Sequence, residues 1–295
     1  MGFSLVVPST PEEAVRELAR EPGAAVPLGG GSDLLLDFDD GRATAPRVVS
    51  LRRLPWRTIR WADGSLVVGA TAPLSDLEDE PRLRSDLPGL WRAVGAVGGR
   101  ALRHRATLGG NLGRASPVSD LIPVLLALDA RVSIVGPSGR RDLSVDDLIV
   151  GSRQTRLAVG ELIESVTVPS PAESEYVWQR VRLANDISQV GVAVARFEGG
   201  TPVWRIALSG VTPRPRRLRE AEALLGAAQP SRTAVELAAQ EAARRAPFAS
   251  DKRATEPYRR RLVQVLVRRA VEAVAHAPRP ARPPAKPPAR TRNRR

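Results

Sequence analysis

The stretch Pro27–Asp37, PLGGGSDLLLD, is the strongest constraint on what this chain can fold into. Three consecutive glycines end an apolar run, and Ser32, Asp33 and three leucines follow. Glycine loses more conformational freedom on folding than any other residue, so a run of it is costly unless something needs its missing side chain. A second segment of the same kind, RATLGGNLGRASPVSDL, spans Arg105–Leu121. Again an apolar approach leads to paired glycines, then a small polar residue, then apolar ones. Backbone N–H groups on such segments can turn inward together and form an anion-binding concavity. Ser32, Thr107 and Asn111 add uncharged donors. Two such segments suit the two halves of a diphosphate. Taken singly, each also fits a plain turn. Neither is the Rossmann fingerprint, because GGGSDL lacks the third glycine at the required spacing.

The acids beside these segments need another role, since a carboxylate repels phosphate. Asp120, nine residues after Asn111, is placed to accept from ribose hydroxyls or an adenine amino group. Asp33 is expected to cap the backbone of its own loop.

Composition removes most other chemistry. Cysteine is absent, which excludes thiolate metal sites, cysteine nucleophiles and cysteine-bound iron–sulfur clusters in this chain. The two histidines, His104 and His276, lie far apart in the sequence, against a zinc site or a Ser–His–Asp triad. No catalytic residue is assigned, and no metal site. No apolar run approaches the 18 residues of a membrane span. The N-terminus shows no secretory pattern, and Val6 breaks the myristoylation pattern, so the cytoplasm is the expected compartment. The net charge of +13 invites a nucleic-acid reading, but seven of the basic residues lie in the tail Ala277–Arg295, leaving +6 for the rest. That tail has six prolines and no acid. It reads as a disordered basic tail at 277–295. Aromatics are 4% of the chain and none lies in the tail, which leaves few platforms for stacking bases.

Strands and helices mix without a strict βαβ rhythm, which points to an α+β organisation. STPEEAVRELAR carries a capping box, with Thr10 as N-cap, Pro11 in the first helical position and Glu13 closing it. AAVPL, RVSIVG, ELIESVTVP, EYVWQRVRL and PVWRIALSGV read as strands, as do RVVSL and SLVVGA, placed on either side of a turn at Asp63-Gly64. Helices are expected at LPGLWRAVGAVGG, SDLIPVLLALDA, RLREAEALLG with Gly226 as its C-terminal cap, SRTAVELAAQEAARRA and EPYRRRLVQVLVRRAVEAVAHA.

Together PLGGGSDLL, ATLGGNLGRASPVSDLIPVLLALDARV, NDISQVGVAVA and RIALSGVTPRPRRLREAEALL, in that order and spacing, resemble the FAD-binding medium subunit of the molybdenum hydroxylase family. That family includes carbon monoxide dehydrogenase and xanthine dehydrogenase. The resemblance runs from Phe3 to Ala275, and the GGN followed by ASPVSDL is its most specific part. It implies the FAD-binding fold of vanillyl-alcohol oxidase and the MurB-type reductase, with two α/β subdomains at about 1–58 and 59–171. A C-terminal domain of a small antiparallel sheet and helices would follow at 172–276. It implies that Pro27, Leu28, Gly29, Gly30, Gly31, Ser32, Asp33 and Leu34, with Thr107, Leu108, Gly109, Gly110 and Asn111, bind the FAD diphosphate, and that Asp120 meets the adenosine portion. Val97 and Ile163 match apolar positions beside FAD, and each also reads as core. The family lysine is replaced by Trp178, with Arg180 two residues on as its substitute, while Asp186 and Ile187 keep the family's DI pair.

The function implied is electron transfer. A large molybdopterin-binding subunit hydroxylates the substrate, a small subunit relays electrons through 2Fe–2S clusters, and this chain passes them from FAD to an acceptor. Two rivals differ in class. A stand-alone FAD reductase or oxidase needs a substrate pocket and a proton donor beside the flavin, and no such constellation is visible. A nucleic-acid-binding protein rests on the tail alone.

Overall fold

The computed structural model describes residues 2–170, 173–180, 186–198, 200–211 and 213–277, with the side chains of Glu173 and of Trp178, Gln179 and Arg180 outside the description. The basic tail beyond residue 277 and the segment 181–185 also lie outside it.

The chain opens with β1 (Ser4–Val6), α1 (Pro11–Ala19), β2 (Ala25–Leu28), α2 (Leu34–Asp39) and β3 (Arg47–Ser50). The three strands form a parallel sheet in the order β1-β3-β2. RVVSL is therefore the central strand of this first sheet and not a partner across the Asp63-Gly64 turn. Parallel pairing with strands from before and after a helix leaves no local trace in the sequence. On α1, Thr10 Oγ1 accepts from the Glu13 N–H at 3.2 Å, and the Glu13 carboxylate accepts from Ser9 N–H at 2.8 Å. This closes the box one residue further out than the sequence suggests.

A second sheet follows. β4 (Ile59–Ala62) and β5 (Ser65–Gly69) form the hairpin at Asp63-Gly64, both with positive φ, as a tight primed turn requires. Then come α3 (Leu74–Glu78), α4 (Leu83–Asp86), α5 (Pro88–Ala96), α6 (Arg100–Arg103), α7 (Leu108–Arg114) and α8 (Leu121–Ala127). β6 (Arg131–Gly136), β7 (Gly139–Ser144), α9 (Val145–Leu148), β8 (Ile149–Gly151), β9 (Gln154–Thr155) and β10 (Leu162–Pro169) complete the part before residue 170. The five-stranded antiparallel sheet runs β4-β5-β10-β6-β7, and β8 and β9 form a separate small pair.

The third sheet is antiparallel: β11 (Glu173–Arg180), β12 (Ser188–Phe197), β13 (Val203–Ser209) and β14 (Arg216–Arg217). α10 (Arg219–Glu222), α11 (Arg232–Arg245) and α12 (Glu256–His276) follow. Helix α10 stops at Glu222, four residues before Gly226, so the expected cap does not form there. Every residue of β12 from Ser188 to Arg196 is buried, and its alternation sorts two cores. Val190, Val192 and Val194 face α11 and α12. Ala193 and Ala195 face the larger core, which contains the wholly buried α8. The chain is thus an α+β assembly in which one sheet face closes the C-terminal helices and the other rests on the part carrying both glycine segments. Among the described residues, no helix is long and apolar enough to cross a membrane.

Candidate functional site

A cleft of about 510 Å³ lies between the three-stranded and five-stranded sheets. One wall is Pro27–Leu34, and the other is α7 with Thr107, Gly109, Gly110, Asn111, Gly113 and Arg114. Val97 and Ile163 line it too, half-buried and buried respectively. The structure thus gathers most of the residues singled out in the sequence, which lie up to 136 positions apart (Pro27 to Ile163).

The glycines are there for different reasons. A Cβ on Gly30 would overlap the Arg105 carbonyl oxygen and lie 2.6 Å from its carbon. The close neighbour that forbids a side chain here is the backbone leading into the second glycine segment. Arg105 Nε also donates to Gly30 O at 3.4 Å. Gly109 is similar: a Cβ would meet Ala70 Cβ at 2.6 Å, and its N–H donates to Ala70 O at 3.2 Å. Gly113 differs from both. A Cβ there meets nothing within 4 Å, and the residue lines the cleft.

The second glycine segment is the start of a helix, not a loop. Thr107 is the N-cap of α7, and its Oγ1 accepts from Gly110 N–H at 3.0 Å. Leu108 and Leu112 are fully buried on the inner face. The Leu108 side chain therefore belongs to the core, and only its backbone can serve a ligand. Asn111 and Arg114, three apart, share the face toward the cleft. Arg114 and Gly113 were not among the residues expected at the site. The helical spacing of Leu108, Leu112 and Ala115 was the available signal, masked by three glycines of poor helix propensity.

The residues present fit a diphosphate-bearing cofactor. Among the described residues, no protein group accepts a hydrogen bond from the N–H of Gly30, Gly31, Ser32, Asp33 or Leu34. Unpaired backbone donors along a cleft need partners from solvent or a ligand. Ser119 Oγ, which accepts from the Leu121 and Ile122 N–H groups, lies 2.7 Å from Asn111 Oδ1, so that Asn111 keeps its amide nitrogen as a donor.

Charge at the mouth is arranged around Asp37 of α2, which is 4% exposed. Arg114 Nη2 donates to Asp37 Oδ1 at 3.1 Å, Arg114 Nη1 pairs with Oδ2, and Arg42 Nε donates to Oδ1 at 2.9 Å. Burial pushes the Asp37 carboxyl up, but the hydrogen bonds and charges of Arg114 and Arg42 outweigh it and hold it below the ordinary carboxylate range.

Two expectations change, and a third, Arg180, falls outside the described side chains. Asp33 occupies the N-cap place of α2 but makes no side-chain capping bond; its carboxylate instead lies 3.9 Å from Arg114 Nε. Asp120 is not on the cleft lining. Its Oδ1 accepts from the hydroxyls of Tyr176 and Ser188, both at 2.6 Å, so it joins α8 to the third sheet. Ser119 holds the capping role beside it. Arg180 lies on β11, and its side chain is outside the described residues.

Residues 1–171 match the model of the FAD binding domain in molybdopterin dehydrogenase, and residues 176–274 match the CO dehydrogenase flavoprotein C-terminal domain. The chain is 30% identical over 277 residues to the carbon monoxide dehydrogenase medium chain of Hydrogenophaga pseudoflava, covering 92% of this chain and 96% of that one. It is 30% identical to the nicotine 6-hydroxylase medium subunit of Paenarthrobacter nicotinovorans, covering 90% and 94%. The solved carbon monoxide dehydrogenase of Hydrogenophaga pseudoflava superposes with a TM-score of 0.86 at 29% identity, over 93% of this chain and 97% of that one. The cofactor of such a chain is FAD and its class is oxidoreductase. This chain belongs to the molybdenum hydroxylase family as its FAD-binding subunit.

Proposed function

We propose that this chain is the electron outlet of a three-part cytoplasmic enzyme. A large molybdopterin-binding subunit oxidises the substrate, 2Fe–2S clusters on a small subunit relay the electrons, and this chain delivers them from FAD to an acceptor. The relatives support the assembly, being named as a medium chain and a medium subunit. FAD supplies the redox chemistry, collecting single electrons and releasing two; the protein binds and orients it. Residues 1–171 are the FAD-binding domain, divided near 58, and 172–276 are the C-terminal domain.

One observation carries the reading. The cleft is walled by both glycine segments, and the N–H groups from Gly30 to Leu34 face no protein acceptor among the described residues. In this reading those donors, with Thr107 to Asn111 opposite, hold the diphosphate, while Val97 and Ile163 exclude water from the apolar parts of the cofactor. No side chain of this chain needs to touch the organic substrate. The test is co-purification followed by rapid mixing of the assembled complex with its substrate. Bleaching of the flavin band in the complex, and none in the isolated chain, is expected. Bleaching of the isolated chain by the organic substrate would make it a stand-alone oxidoreductase instead.

A further inference from the structure

We propose that the Arg114–Asp37 ion pair is a clamp across the cleft, fixing the spacing of α2 and α7 and thereby the affinity for FAD. The inference rests on the flavin reading of the cleft. Helix α2 follows the first glycine segment at Leu34, and α7 carries Gly109 and Gly110 of the second in its first turn. The donors on the two walls can serve one diphosphate only if the walls are held at the right separation, and binding is stronger when that separation is set in advance. Helix α2 has six residues and no side-chain cap. A helix that short is marginal alone and takes its position from tertiary contacts.

Arg114 supplies such a contact from 77 positions away. Exposed ion pairs contribute little, because solvent screens them and ordering two side chains costs entropy. Asp37 is different, since it is buried and its charge needs a partner in place. Arg42 also pairs with Asp37, but it lies five residues along the same segment, where its own N–H donates to Asp37 O at 2.8 Å. Arg42 therefore satisfies the charge without spanning the cleft. Of Asp37's two cationic partners among the described residues, only Arg114 ties one wall to the other. Asp33, on the rim, adds a second carboxylate 3.9 Å from the same guanidinium. The two glycine segments also meet where Gly30 lies against the Arg105 carbonyl and accepts from Arg105 Nε, so the ion pair adds a second tie between them.

The experiment uses the full chain, stripped of flavin and titrated with FAD by fluorescence quenching, at one temperature well below the melting point of every variant. Arg114→Gln and Asp37→Asn should each weaken FAD binding on the order of tenfold, the scale of a coupling between two elements. The double variant should bind no more weakly than either single one, because both remove the same tie. Arg114→Lys should restore part of the affinity, and Arg42→Gln should bind as wild type does. Wild-type affinity in Arg114→Gln, with or without a lower melting temperature, overturns the clamp. Loss in Arg114→Gln with none in Asp37→Asn overturns it too, because Arg114 would then touch FAD itself. Equal loss in Arg42→Gln overturns it by making the charge on Asp37, not the tie, the relevant feature. A wild-type chain that takes up no FAD refutes the flavin reading, and the clamp falls with it.

Discussion

The absent side chain of Gly30 is what lets the carbonyl of Arg105 pass beside it, 75 positions further along the chain. The first glycine segment is therefore shaped by the second before any ligand enters. Gly30→Ala is expected to lose stability by about 3 kcal/mol or more, as forced overpacking against backbone does. It should lose flavin with it. Urea unfolding of the flavin-free variant measures this, and a wild-type midpoint would show that the two segments can part without cost.

Gly113 separates ligand clearance from packing. A Cβ there meets no protein atom within 4 Å, yet the residue lines the cleft. Gly113→Leu should leave the flavin-free chain as stable as wild type or more so, since leucine is favoured over glycine in a helix by roughly 1 kcal/mol. Its FAD content should fall by at least about tenfold, the equivalent of roughly 1.4 kcal/mol. Absorbance at the flavin band against protein concentration reads this directly, and full flavin in a folded variant would place the cofactor elsewhere.

Asp120 ties the two halves of the molecule. Its Oδ1 accepts from Tyr176 and Ser188, whose residues are both 1% exposed. Asp120→Ala deprives two buried hydroxyls of this acceptor, and about 2 kcal/mol of stability should go with it. Chemical denaturation of the flavin-free chain checks the figure. An unchanged midpoint would show that the hydroxyls find other partners at no cost.

Acid should weaken the hold of Asp251 on the start of α12 only below about pH 4. Asp251 is held at about 2, chiefly by the hydrogen bond from Arg259 at the start of α12, with backbone N–H bonds from Arg253 and Ala254 adding to it against the opposing effect of burial. A depressed carboxyl contributes stability that is full above its unfolded value near 4 and is lost as pH falls through about 2. The Asp251 side chain is 42% exposed, so the gain is modest. NMR titration of the Asp251 carboxyl in wild type should therefore report a pKa well below 4, rising in Arg259→Gln. A wild-type value near 4 contradicts the pairing.

What the sequence revealed and what it hid follow from the range of the interactions. The capping box at Thr10 and the turn at Asp63-Gly64 are set by neighbours a few residues apart. The two glycine segments stood out because their composition is costly without a purpose. The pairing of RVVSL with two flanking parallel strands depends on residues 22 to 43 positions away and leaves no local pattern. The helix at Leu108–Arg114 was hidden because three of its seven residues are glycine, and tertiary packing of Leu108 and Leu112 overrides their propensity. Arg114 carries no local signal in the sequence, because its partner Asp37 lies 77 positions away.

The account depends most on what occupies that cleft. The direct measurement is acid precipitation of the purified chain, followed by identification of the flavin in the supernatant and its ratio to protein. Released FAD at one per chain is predicted. FMN, flavin retained covalently on the pellet, or a colourless protein that takes up no FAD on reconstitution would contradict it.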